Sequence, residues 1–77
     1  MRISVRSRAG RHGKEPCSFC LGRCELYVAD ILERRELAGV HRFKVKVFDG
    51  RRFVLRHQPA TNCWELAAVY GPGRRSR

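Results

Sequence analysis

His41-Arg42-Phe43-Lys44-Val45-Lys46-Val47, then Phe48-Asp49-Gly50, then Arg51-Arg52-Phe53-Val54-Leu55-Arg56-His57: the reading of this stretch decides the fold. Its first part alternates apolar and basic residues with period two, the pattern of a strand with one buried face. Asp49-Gly50 marks the turn, and the loop length sets which side chains meet. A two-residue loop pairs Phe48 with Arg51 and Lys46 with Phe53, which mixes charge into both faces. A three-residue loop, Phe48-Asp49-Gly50, places Gly50 at the left-handed position that glycine fills without strain. It pairs Val47 with Arg51, Val45 with Phe53 and Phe43 with Leu55. Arg42, Lys44, Lys46, Arg52 and Arg56 then share the other face, with Val54 as the one apolar intruder. A slip of one residue exchanges the two faces, so the three-residue register is the expected one. Cations gathered on one face repel one another unless an anion lies opposite. The hairpin therefore points to a polyanionic partner.

Outward from the hairpin, Gln58-Pro59-Ala60-Thr61-Asn62 has the composition of a connecting turn. Cys63–Tyr70 alternates again, with Trp64, Leu66, Ala68 and Tyr70 on one side, and Gly71-Pro72-Gly73 ends it. Upstream the period changes. Leu21, Cys24, Val28, Ile31 and Leu32 recur at three- and four-residue spacing, which predicts a helix from Cys20 or Glu25 to Ala38. Asp30 and Arg34 form an i,i+4 pair on it, Gly39 supplies the C-cap, and Pro16 suits its first turn. The expected fold is α+β: one helix packed on a three-stranded antiparallel β-meander, in the order α-β-β-β, with flexible basic termini. That order resembles part of the double-stranded RNA-binding domain, whose second helix and lysine-rich cluster have no counterpart here.

The chain of 77 residues carries a formal net charge of +10, and the charge is unevenly placed. Residues 1–15 read as a basic flexible arm with Arg2, Arg6, Arg8, Arg11 and Lys14 against Glu15. Residues 16–73 read as a single small domain, and residues 74–77 as a basic tail with Arg74, Arg75 and Arg77. Within the arm, Ile3 and Val5 alternate with polar residues, the pattern of a short edge strand. Basic arms beside a basic sheet face favour neutralisation of phosphates through counterion release. No segment reaches the roughly 18 consecutive apolar residues of a membrane span. Met1–Arg6 lacks the apolar run of a secretory signal. The chain is expected to be intracellular, in the cytoplasm or with the nucleoid or nucleus, and not bound to a membrane.

Cys17, Cys20 and Cys24 read Cys-Ser-Phe-Cys-Leu-Gly-Arg-Cys, and Cys63 opens the last strand. A CxxC pair brings two thiolates to one tetrahedral ion, and Gly22 lets the backbone turn. This is the pattern of a closed structural zinc site, with Cys17, Cys20, Cys24 and Cys63 or a histidine as ligands. On a continuous helix the i, i+3, i+7 spacing also places the first three on one side as small buried hydrophobes. A redox or disulfide role is the third reading.

His41 and His57 meet at the open end of the hairpin, and with Arg42, Arg56 and Glu65 they suggest an acid/base pair for RNA cleavage. Solvated strand ends or phosphate contacts are the plainer reading. Trp64 and Tyr70 fit either base stacking or completion of the core, and their shared side with Leu66 favours the core. The leading expectation is a non-enzymatic, nucleic-acid-binding module, for DNA or RNA, that uses Arg42, Lys44, Lys46, Arg52 and Arg56 with Arg6, Arg8 and Arg11 of the arm. The alternatives are a small regulator or inhibitor of the phage or mobile-element type that grips an acidic protein surface, and a toxin-like ribonuclease.

Overall fold

The computed structural model describes residues 1–10 and 13–71 of the chain. They form six antiparallel strands: β1 (Arg2–Gly10), β2 (Gly13–Leu21), β3 (Cys24–Leu37), β4 (Val40–Val47), β5 (Arg52–Gln58) and β6 (Cys63–Tyr70). Each strand pairs with the next, and β6 returns to β1 to close a barrel. Among the described residues there is no helix. The fold is all-β, so the α+β expectation of one helix on a three-stranded meander is wrong, and the resemblance built on that element order goes with it.

The stretch expected to be helical is the 14-residue strand β3. Val28 pairs with Val47, Asp30 with Lys46, Ile31 with Val45 and Glu33 with Lys44. Ala29 and Leu32 are therefore extra residues, one at each of two β-bulges. A bulge inserts one residue between successive side chains of the same face. Val28, Ile31 and Arg34 thus reach the side of Val47, Val45 and Phe43 at three-residue steps. A strand bulged twice imitates the spacing of a helix. Gly39, expected as a helix cap, instead closes the tight β3–β4 turn between Leu37 and Val40.

The hairpin has the three-residue register. Val45 pairs with Phe53 and Phe43 with Leu55, the Val47 amide donates to the Arg51 carbonyl at 3.0 Å, and Gly50 has φ 96°. The Asp49 carboxylate accepts from the Arg51 amide at 3.0 Å and from its guanidinium at 2.8 Å. The bond from the Arg51 amide, with the guanidinium beside it, holds the Asp49 pKa below the usual carboxylate range.

The described part of residues 1–15 is strand rather than a flexible arm. Arg2–Gly10 is β1, and Gly13–Glu15 begins β2. Ile3 is buried and pairs with Trp64, so the alternation of Ile3 and Val5 marks a strand that closes the barrel. Pro16 sits where the β1–β2 register shifts, with Arg6 opposite Ser18 and Ser7 opposite Pro16. A bulge is one of the few places a strand tolerates proline. The tail 74–77 lies outside the described residues.

Inward side chains of all the strands but one supply the buried core: Ile3, Phe19, Phe43, Val45, Val47, Phe53, Leu55 and Trp64. The contribution of β3 is Leu26, Val28 and Ile31, partly buried against that cluster. Phe19 meets Phe53 edge to face at 5.0 Å between ring centres, a favoured aromatic geometry.

The β3–β4 turn stores strain at a single residue. Ala38 has φ 53° and Gly39 has φ 79°. Both central positions of a two-residue turn of this kind need positive φ, which glycine and asparagine adopt far more readily than alanine. Ala38→Asn should raise stability by about 1 kcal/mol. Urea unfolding would show it as a higher midpoint with an unchanged slope; an unmoved midpoint would mean that Ala38 carries no strain.

Candidate functional site

The outer surface of β3–β6 is crossed by three rows of side chains, because residues paired across strands share a face. One row holds Asp30, Lys46, Arg52 and Tyr70. The next holds Glu33, Lys44, Val54 and Ala68, and the third Arg35, Arg42, Arg56, Glu65 and, from β1, Arg2. Seven cations stand against three carboxylates on this face. Arg42, Lys44, Lys46, Arg52 and Arg56 lie together as the alternation predicts.

Two of the cations are neutralised locally. Arg56 reaches Glu65 at 2.7 Å and Arg35 reaches Glu33 at 2.9 Å. The hydrogen bond and charge of Arg56 hold the Glu65 pKa below its usual range. Arg42, Lys44, Lys46 and Arg52 make no ion pair with any described carboxylate. Asp30 and Glu33 are cross-strand neighbours of Lys46 and Lys44 and moderate the field without being bonded to them. The Arg52 Nε is buried and has no hydrogen-bond partner among the described residues, an expensive state for a charged donor unless a further acceptor is supplied.

Ala68 and Tyr70 are the residues that the alternation misplaces. Leu55 pairs with Leu66 but Val54 with Ala68, so Ala67 is the extra residue of a bulge in β6. Beyond it the faces exchange. Tyr70 turns outward beside Arg52, 50 % exposed, with the Lys44 Nζ 5.5 Å from its ring centre. Trp64, ahead of the bulge, stays in the core at 5 % exposure. The small pair Ala67-Ala68, where the alternation weakens, is the sequence signal for this shift.

Arg6 and Arg8 do not join the face. They stand on β1, Arg6 against Glu25 at 3.4 Å and Arg8 against Glu15 at 3.9 Å. Glu15 also pairs with Arg34, whose guanidinium lies 6.0 Å from the Phe43 ring centre. Arg11 lies outside the described residues.

The histidines and the arginines expected beside them are on opposite faces. His41 and His57 pair on the inner side, 6.3 Å apart between ring centres, whereas Arg42, Arg56 and Glu65 point outward. His57 is buried, stacks on Trp64 at 4.2 Å and shares a 3.0 Å hydrogen bond between Nε2 and Asn62 Oδ1. Lys14 donates to that same oxygen at 3.3 Å, which assigns it as an acceptor and His57 Nε2 as a donor. This cluster fastens the β5–β6 loop to the barrel end.

The thiols lie on three strands. Cys20 and Cys24 are exposed on either side of the Gly22-Arg23 turn, Cys17 is the unpaired residue at the β1–β2 bulge, and Cys63 opens β6. All four are free thiols. Without a helix they share no helical face. Among the described residues no three His, Cys, Asp or Glu side chains are placed to hold a metal ion.

Comparison of the chain with protein-family models, with curated proteins and with solved structures returns no match. Among the described residues no helix is long and apolar enough to cross a membrane.

Proposed function

We propose that this barrel is a nucleic-acid-binding module and that the outer face of β4–β6 contacts the phosphate backbone. The observation that carries the reading is the group of four cations, Arg42, Lys44, Lys46 and Arg52, held on one rigid sheet face without an ion-pair partner among the described residues. Like charges fixed side by side repel, and a row of phosphates removes that repulsion while releasing condensed counterions. Arg56 adds to the field less than its position suggests, because Glu65 occupies it.

The alternative in which the protein grips an acidic protein surface has less support at Trp64 and at the start of β6. Trp64 is buried in the core, and β6 is flanked by β5 and, through Arg2 and Ile3, by β1. Titration of the purified protein with random-sequence DNA and RNA over a range of salt concentrations tests the proposal. Four phosphate contacts should give a log–log slope of about −3.6 on duplex DNA and about −2.8 on a single strand. Absence of binding at low salt, or binding indifferent to salt, would reject it.

A further inference from the structure

The cationic face carries more than charge. The bulge at Ala67 brings Tyr70 out beside Lys44 and Arg52, and it brings the small Ala68 out opposite Val54. Tyr70, Val54, Lys44 and Arg42 line a groove of about 270 Å³, with Glu33 and Arg35 on its far wall. Those two far-wall charges are joined to each other. The groove therefore offers an aromatic ring and an aliphatic floor, bordered by cations that are free of ion pairs.

A duplex has no use for such a floor. Its base faces are stacked inside the helix, and a protein meets them only as edges in the grooves. An unpaired strand exposes the faces, and an aromatic ring set among cations binds them with little regard to sequence. On the nucleic-acid reading above, which this inference needs, we infer that the ligand is single-stranded. One base stacks on Tyr70 over Val54 and Ala68, while the flanking phosphates meet Lys44, Arg52 and Arg42.

The test compares labelled oligo(dT) with a DNA duplex of the same length, binding to the wild type and to the Y70A, Y70L and Y70F variants. Tyr70 is half exposed and at the end of β6, so the folded barrel should survive each change, which circular dichroism would verify. Loss of one stacked base is worth about 1–3 kcal/mol, or roughly 5- to 150-fold in affinity. Y70A and Y70L should show that loss on oligo(dT) with the salt slope unaltered, Y70F should retain binding, and duplex affinity should not move. If Y70A binds oligo(dT) as the wild type does, or loses both probes equally, the stacking inference is overturned while the phosphate reading stands. If the wild type binds neither probe at low salt, both fall.

Discussion

Phe53→Ala is expected to remove cooperative unfolding, or to lower its midpoint to the edge of detection. Phe53 is 0 % exposed, meets Phe19 edge to face and lies opposite Val45 on one side and Val69 on the other. Truncating a buried phenylalanine costs about 3–5 kcal/mol, because the lost transfer energy is joined by the cavity left behind. At about 0.05–0.15 kcal/mol per residue, a chain of this size has only about 4–12 kcal/mol in total. A barrel is also poorly placed to collapse around a hole, since closure fixes the positions of all its walls. Urea unfolding followed by Trp64 fluorescence would measure the loss. Phe53→Leu, which keeps most of the volume, should unfold cooperatively with a smaller drop. Wild-type stability of the alanine variant would place Phe53 outside the core and the β4–β5 register off by one residue.

That register was legible because two independent signals agreed. The alternation along β4 and the left-handed glycine at position 50 both required a three-residue loop. In β3 and β6 the sequence misled because of bulges. In β3 two bulges stretch the inward spacing from two residues to three, so Val28 and Ile31 mimic one step of a helical stripe. In β6 one bulge carries Tyr70 from the core side to the surface. A bulge has no strong local signature, and pairing with the partner strand reveals it. The barrel itself was illegible for a related reason. Its closing strand holds Ile3 as its single buried hydrophobe, so it reads as a tail until Trp64 is placed opposite. Arg42, Lys44, Lys46, Arg52 and Arg56 share a face as expected because they lie on the hairpin whose register was secure. The position of Tyr70 and the neutralisation of Arg56 and Arg35 depended on cross-strand neighbours.

Reversal of Lys44 and Lys46 to glutamate together should nearly abolish nucleic-acid binding at physiological salt while leaving the barrel folded. Both side chains lie on the outer face and neither forms an ion pair in the described structure. Each phosphate contact removed should reduce the salt slope by about 0.9 on duplex DNA and about 0.7 on a single strand. If the electrostatic contribution vanishes near 1 M salt, a slope smaller by about 1.8 on duplex DNA or about 1.4 on a single strand lowers affinity roughly 60-fold or roughly 25-fold at 0.1 M. The new carboxylates also repel the strand, so this is the lower bound of the expected loss. Glutamates at these positions would stand beside Glu33 and Asp30, and like charges directly opposite weaken strand pairing. The neutral pair K44Q/K46Q avoids that penalty and should still show the shallower slope. Reversal of Arg6 and Arg8, which already face Glu25 and Glu15 on β1, should change the slope far less. A double reversal that binds as tightly as the wild type, with the same slope, would remove the outer face of β4–β6 as the binding surface.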